Sequence, residues 1–247
     1  MKIVAAHLPA YLPGLELFCK MVQADAVILA DHLQYSKHGV LNRNRIKTPE
    51  GARWLTVPVL TKGRGRQAIH AVEINNNERW APTHWRALQT HYSKSPYFMH
   101  YADRFEQIYR TDWRRLIDLN SAVIHTLCHC LKLNTPIHLS SKFGAVTGNK
   151  NWLVDLIKRI GGTAYLASPR QRAHAVREND FTAAGITLID TNPPMPRYHQ
   201  LYGEFIPDLS MVDLLFNEGG HYLEELHKKN DARGFAGRIT NTDFLST

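Results

Sequence analysis

Short apolar runs bounded by proline, glycine or polar clusters open the chain. Lys2 to Ala6 and Ala26 to Ala30 read as strands, and between them Gly14 to Gln23 carries apolar residues at helical spacing. Strand, helix and strand in so compact a stretch make a βαβ unit, whose strands run parallel through a right-handed crossover. Trp54 to Val57 and Ala71 to Ile74 read as two further strands paired antiparallel, joined by the glycine-containing loop Thr61 to Gln67.

From residue 79 to 133 the period changes to that of helices, with Trp85, Leu88 and Tyr92 and then Tyr101, Phe105 and Ile108 on apolar faces. Asp112 reads as the N-cap of a long amphipathic helix to about Leu131, with Leu116, Leu119, Val123, Leu127 and Leu131 on one face. Pro136 to Leu139 then reads as a strand, Trp152 to Ile160 as a helix, Ala164 to Ala167 as a strand, Glu178 to Ala184 as a helix and Ile186 to Ile189 as a strand. Ser210 and Asp213 have the spacing of a capping box at the start of a last helix. The pattern predicts an α/β fold: a mixed sheet with a βαβ start, flanking helices and a helical middle segment. Residues 1–230 form a single domain, with 79–133 as a helical subdomain or insertion, and 231–247 lose periodicity as a flexible tail.

At 247 residues with 44% hydrophobic content the chain can bury a substantial core, which argues against disorder. No apolar span has membrane length and the N-terminus lacks a secretory h-region, so the expectation is a soluble, cytoplasmic protein with no membrane partner. Three cysteines, Cys19, Cys128 and Cys130, form no disulfide framework. His125, Cys128, His129 and Cys130 invite a zinc reading, but the two cysteines point to different helix faces and no second ligand pair follows at finger spacing. The sequence therefore gives no metal site, and it names neither a cofactor nor a stable protein partner.

Charge alters the picture more than composition does. The net charge is +8, and residues 36–66 hold eight basic residues against Glu50 alone, a local excess of +7. A second stretch, residues 156–177, has no acid at all, whereas residues 204–225 are acidic. Such polarity favours an anionic ligand.

The densest part of the basic region, Asp31 to Thr48, sets Lys37, Arg43, Arg45 and Lys47 beside Tyr35, Asn42 and Asn44, just after a buried strand. Guanidinium forks, ammonium groups and amides can surround phosphate or carboxylate oxygens, and open α/β sheets bind ligands at the carboxyl ends of strands. The first strand ends in His7-Leu-Pro-Ala-Tyr11-Leu-Pro13, which places a titratable imidazole and a proline-stiffened loop where they can meet the basic loop. A third loop, Ser140 to Lys150, joins a strand to a helix N-terminus and has the order of a phosphate cradle, without the spacing of a Walker loop.

Several of these blocks occur together and in order: His7-Leu-Pro-Ala-Tyr11, Gln34-Tyr-Ser-Lys37, Asn42-Arg-Asn-Arg-Ile-Lys-Thr48, Trp54-Leu-Thr-Val-Pro58, Lys94-Ser-Pro-Tyr-Phe98, Ser140-Ser141 and Leu209-Ser-Met-Val-Asp-Leu-Leu-Phe-Asn217. Over roughly residues 1 to 220 the chain resembles the WbqC-like family. The resemblance implies a small-molecule biosynthetic role in bacterial cell-surface polysaccharide (O-antigen, lipopolysaccharide) or specialised-metabolite pathways. The chain departs from the family pattern at His7-Leu8-Pro9, where a glutamine is expected second, at Gly148-Asn149-Lys150-Asn151, which lacks a hydroxyl, and at Ala167-Ser168-Pro169-Arg170-Gln171, where Arg170 adds charge at a turn expected to be glycine-rich.

The expected mechanism is group transfer from an activated, anionic small molecule, foremost acyl or aminoacyl transfer to an amine of a sugar or metabolite. A nucleotide sugar, an acyl-CoA or an aminoacyl-tRNA would serve as substrate. His7 is the candidate general base or acid, because an imidazole titrates near neutrality; its structural alternative is a histidine that only closes a loop. Asp31 would orient His7 or bind a hydroxyl. Lys37, Arg43, Arg45 and Lys47 would hold the anion, Tyr11, Tyr35, Asn42 and Asn44 would contact the substrate, and Ser140, Ser141, Lys150 and Arg170 would form a second anion site. Two alternatives belong to other classes: a nucleotidyltransferase-like enzyme, and a non-catalytic protein that binds nucleotide, RNA or tRNA.

Overall fold

The first strand, β1 (Ile3–His7), is followed by α1 (Leu15–Gln23) and β2 (Ala26–Leu29). The computed structural model describes residues 1–37, 39–144, 151–174, 177–191 and 196–223. Lys150 with its neighbours Gly148 and Asn149, the side chain of Arg170, and the tail 231–247 lie outside the described residues. Then come β3 (Arg43–Thr48), β4 (Gly51–Thr56), α2 (Trp80–Tyr92), α3 (Phe98–Arg110) and α4 (Leu116–Cys130). The chain continues through β5 (Ile137–Leu139), α5 (Trp152–Arg159), β6 (Ala164–Ala167), α6 (Pro169–His174), α7 (Glu178–Ala183), β7 (Thr187–Asp190) and α8 (Met211–Glu218).

The fold is mixed α/β, with parallel and antiparallel pairings in two separate sheets. Five strands run parallel in the order β5-β2-β1-β6-β7, and β3 with β4 forms an antiparallel hairpin. The chain builds the parallel sheet outward from β1 through β2 to β5, then returns across β1 to lay down β6 and β7. Its direction of growth reverses between β1 and β6, the topological switch point of a doubly wound sheet. The strands read as unbroken apolar runs because both sheet faces are covered. Ala5, Val27, Leu29 and Leu166 face a core shared with Leu17, Phe18 and Met21 of α1 and with α2, α3, α4 and α8. Val4, Ala6, Ile28 and Tyr165 face a smaller core with Leu153, Ile157 and Phe181.

Phe216 of α8 ties the helical middle to the rest. Its ring centroid lies 5.3 Å from that of Tyr92, 5.2 Å from Phe98 and 5.3 Å from Phe105. Beyond α8 the chain passes so close to the end of α4 that a Cβ at Gly220 would fall 2.1 Å from the Cys130 carbonyl oxygen, which leaves room for glycine alone.

Three local expectations are corrected. The second half of the basic loop is a strand: β3 pairs with β4 from Arg43↔Thr56 to Thr48↔Gly51, so the partner of Trp54-Leu-Thr is β3 and not Ala71 to Ile74. Residues 69–71 form a 3-10 turn, and the chain after it meets the stretch after β4 in a short antiparallel bridge, Val59↔Ile74. Asp112 does not cap α4: Arg115 is held extended in a bridge to Glu73, with Ile74 N donating to Arg114 O and Leu116 N to Val72 O, both at 2.9 Å, so the helix starts at Leu116. Ser210 does cap α8, its Oγ accepting from Val212 N at 3.3 Å, but Asp213 does not close a capping box and turns its carboxylate inward instead.

Candidate functional site

Strands β1 and β6 are paired as far as Ala5↔Leu166 and then part. Gln171, on α6, fills the gap: its Nε2 donates to Ala6 O at 2.8 Å and its Oε1 accepts from Ser168 N at 3.0 Å. Into the same crevice comes Lys20 of α1, fully buried, which donates to Glu16 Oε1 at 2.6 Å and to Gln171 Oε1 at 3.0 Å. Burial pushes the Glu16 carboxyl up, but the hydrogen bond and charge of Lys20 outweigh it and hold the group below its ordinary range.

His7 closes β1 at this crevice. Its Nδ1 lies 2.8 Å from the Leu8 carbonyl oxygen, which can only accept, so Nδ1 carries the proton and Nε2 is left with its lone pair. Burial lowers the imidazole pKa and the Lys20 charge lowers it further, against the opposing Leu8 hydrogen bond. The result is a neutral imidazole of fixed tautomer at the switch point, with the form required of a general base.

Asp31 does not orient His7. It is fully buried and accepts from Ser140 Oγ at 2.8 Å, Ser141 N at 2.8 Å and Ser141 Oγ at 2.6 Å. This carboxylate fastens the turn after β5 to the end of β2, so Ser140 and Ser141 are committed to Asp31 and do not form an open anion site. The Ser140 hydroxyl gives its proton to Asp31, so at His32, 2.7 Å away, Nδ1 is the donor. Burial also lowers the His32 pKa, and its ring meets Trp152 edge-on at 4.6 Å. Sequence reasoning passed over His32, the residue directly after Asp31.

The His7 loop and the basic segment do meet. Tyr11 N donates to Leu41 O at 3.1 Å, and Asn120 Nδ2 bridges Pro9 O at 2.7 Å and Leu41 O at 2.8 Å. Much of the basic segment is nevertheless inward and structural. Asn42 Nδ2 donates to Val57 O at 2.8 Å and Asn44 Nδ2 to Leu12 O at 2.6 Å. Tyr11, expected at the substrate, is in the core with its hydroxyl bonded to His84 at 2.9 Å and Tyr109 at 2.7 Å. Tyr35 is buried, its phenol pushed up by burial and only partly drawn back by Arg43. Lys37 is exposed, and Arg43 and Arg45 lie on the outer face of the hairpin with Trp54.

Lys47 is buried, and its ammonium donates to Gln200 Oε1 at 3.1 Å and to the Glu204 carbonyl, so it is not open to an external anion. Burial lowers its pKa, with Asp213 and Glu204 opposing. The backbone N of Lys47 donates to the Tyr92 hydroxyl at 2.9 Å, which donates to Asp213 Oδ1 at 2.7 Å, while Tyr198 donates to Asp213 Oδ2 at 2.8 Å. Ser210 N donates to Arg45 O at 2.9 Å. The two most distinctive sequence blocks, around residues 42–48 and 209–217, are therefore one structural unit. The Lys94–Phe98 block joins it through Ser95 Oγ to Asn217 Oδ1 at 3.1 Å.

This unit lies within the stretch, residues 9–225, that matches the profile of the WbqC-like protein family. The chain belongs to the WbqC-like family. A relative from Mycobacterium tuberculosis, the uncharacterized protein Rv1507c, is 34% identical over 221 residues, which is 89% of this chain and 95% of that protein. No solved structure matches the chain. The matched span begins just past His7, so the imidazole at the crevice rests on geometry alone.

The cysteines of α4 are unlike metal ligands. Cys128 and Cys130 are buried, and burial pushes their thiols up to about 12 and about 11. Among the described residues no group of three or more His, Cys, Asp or Glu has metal-binding geometry, and no helix is long and apolar enough to cross a membrane.

Proposed function

We propose that this WbqC-like protein is a transferase that takes an activated small molecule in the crevice between the carboxyl ends of β1 and β6. The observation that carries the reading is His7: a neutral imidazole with Nδ1 occupied by Leu8 and Nε2 available, at the position where doubly wound sheets hold their ligands. In acyl or aminoacyl transfer, the acceptor amine attacks the activated carbonyl and Nε2 takes the proton that the amine sheds. The leaving group departs with the electron pair of the broken bond. The acceptor is an amine on a sugar or metabolite, in cell-surface polysaccharide or specialised-metabolite synthesis. Gln171 and the Lys20–Glu16 pair hold the parted strand ends beside His7 through their own hydrogen bonds.

The strand order favours a second reading, nucleotidyl transfer, because a histidine between β1 and the following helix at a switch point suits attack on a nucleoside triphosphate. That reaction releases pyrophosphate and acyl transfer does not. A thermal-shift screen of acyl-CoAs, nucleotide sugars and nucleoside triphosphates, with and without magnesium, on wild type and His7→Gln separates them, since a ligand of the folded state raises its stability. Stabilisation by one class, with turnover lost in His7→Gln, is the expected result. Full turnover in His7→Gln would remove His7 from the chemistry.

A further inference from the structure

Trp54 is the large aromatic side chain on the outer face of the hairpin, and it is 46% exposed. It pairs across the ladder with Arg45 and diagonally with Arg43, whose guanidinium carbons lie 5.8 and 4.6 Å from the centre of its ring. Both guanidiniums are anchored: Arg43 Nε donates to Gly39 O at 3.3 Å, and Arg45 Nη2 to Pro207 O at 3.3 Å and Asp208 O at 3.1 Å. Leu55 and Ile46 supply the packing of the hairpin from its other face, so the fold does not require an indole outside. The result is a half-exposed aromatic ring fixed in place by guanidiniums that lie over it, Arg43 the nearer.

The surroundings extend the charge. The loop 61–67 is tied to the start of the basic segment, where Tyr35 N donates to Gln67 O at 2.9 Å. Lys37, Lys62 and Arg66 are exposed, whereas Arg53 points to the opposite face, in register with Ile46, and Arg64 is engaged by Glu73 at 2.5 Å. Residues 36–66 as a whole carry an excess of +7. A phosphate chain can follow these cations while a base lies on the indole, and this combination of groove charge and stacking ring is how single strands are held without sequence readout. A duplex keeps its bases stacked inside and offers the ring nothing.

We propose that the outer face of the β3–β4 hairpin binds single-stranded nucleic acid, with Trp54 as the stacking ring and Lys37, Lys62 and Arg66 on the phosphates. The proposal makes no use of His7, so the two readings stand or fall independently.

The test is fluorescence anisotropy with labelled oligouridine and oligothymidine of about 12 nucleotides, a length within the usual single-strand site sizes, beside a duplex of equal length. The proteins are wild type, Trp54→Ala, Trp54→Phe and Lys62→Ala/Arg66→Ala, each checked for an unchanged melting temperature. Single strands are expected to bind at least about ten-fold tighter than the duplex, with Trp54→Ala weakening them about ten-fold and Trp54→Phe restoring most of the loss. Affinity should fall with salt, and the double variant should flatten the log–log slope by about 0.7 for each phosphate it no longer neutralises. Whichever single strand binds tighter names the source, RNA or DNA. Equal affinity for the duplex, no effect of Trp54→Ala, or no binding at low salt overturns the proposal; should Trp54→Ala not fold, Trp54→Phe and the double variant still decide it.

Discussion

The ammonium of Lys20, with no exposed surface, lies 2.6 Å from the half-exposed carboxylate of Glu16, one helical turn earlier. In sequence such a pair looks like an ordinary surface pair at i,i+4, worth a few tenths of a kcal/mol. Here it supplies the counter-charge of a buried cation beside His7. Replacing Lys20 by Met removes the positive charge that, after burial, holds the His7 pKa down. The His7 pKa is expected to rise toward its ordinary value, read from the imidazole proton shifts in an NMR titration. An unchanged His7 titration would mean that burial alone sets it.

Asp31 and Ser141 share two hydrogen bonds, one through the hydroxyl and one through the backbone N. Bonds to a buried charge contribute about 1.5–3 kcal/mol each, so Asp31→Asn is expected to cost about 3 kcal/mol in urea unfolding. Ser141→Ala removes one of the same bonds, and a double-mutant cycle should show a coupling of about 1 kcal/mol or more. Additive effects would separate the two residues.

How far these contacts were legible differs by residue. The β1-α1-β2 unit and β6 follow from local apolar period and lie where expected, because a strand buried on both faces has a local signature. β3 escaped because its inward residues include Asn44 and its outward ones are Arg43 and Arg45, so the period of two carries almost no change in hydrophobicity; Ile46 alone marks the core face. Asp31 was legible as a strand-end carboxylate, but its partners are more than a hundred positions away, and only the parallel pairing of β2 with β5 brings Ser140 and Ser141 to it. Gln171 was silent for the same reason. Its bond to Ala6 O depends on β6 lying next to β1, which no local pattern states.

Lys47 and Asp213 are buried opposite charges that act on each other through the field, each held by other hydrogen-bond partners. Each is almost fully buried, burial lowers the pKa of Lys47 and raises that of Asp213, and the charge of each partner opposes the shift. Removing either charge takes that compensation from the other and leaves its own hydrogen-bond partners unpaired, at about 1.5–3 kcal/mol. Lys47→Met and Asp213→Asn are each expected to be severely destabilised in chemical denaturation, and the double variant to lose less than the sum of the two. Strict additivity would show that Tyr92 and Tyr198 alone keep Asp213 in place.

All three cysteines are buried, with thiols raised by burial to about 12 at Cys19 and Cys128 and about 11 at Cys130. The thiolate is the reactive form, so a disulfide reagent at pH 8 should label the native protein only at its rate of opening and all three thiols at once in denaturant. A fast-reacting thiol in the native protein would place one of them at the surface.

Acid should weaken the fold between about pH 6.5 and pH 4, and His84 sets that window. Its ring is buried beside Tyr11 and Trp80, and burial lowers its pKa to about 4 against the smaller opposing effect of a hydrogen bond to the Thr56 backbone. In the unfolded chain the same ring takes its proton near pH 6.5. A group whose folded pKa is depressed gives its full stabilisation above the unfolded value and loses it as pH falls toward the folded one, because only the unfolded state binds the proton in between. For His84 this amounts to about 3 kcal/mol over the window. His7 and His32, both lowered by burial, act in the same direction, whereas Asp213, whose carboxyl is raised, returns part of the loss at the acid end. Urea midpoints measured from pH 7 to pH 4 are expected to fall, and His84→Phe, which removes the proton site but also the hydrogen bond to Tyr11, should flatten the slope while lowering stability at pH 7. A slope that His84→Phe leaves unchanged would assign the acid sensitivity to the other histidines whose pKa burial lowers, His7, His32 and His91.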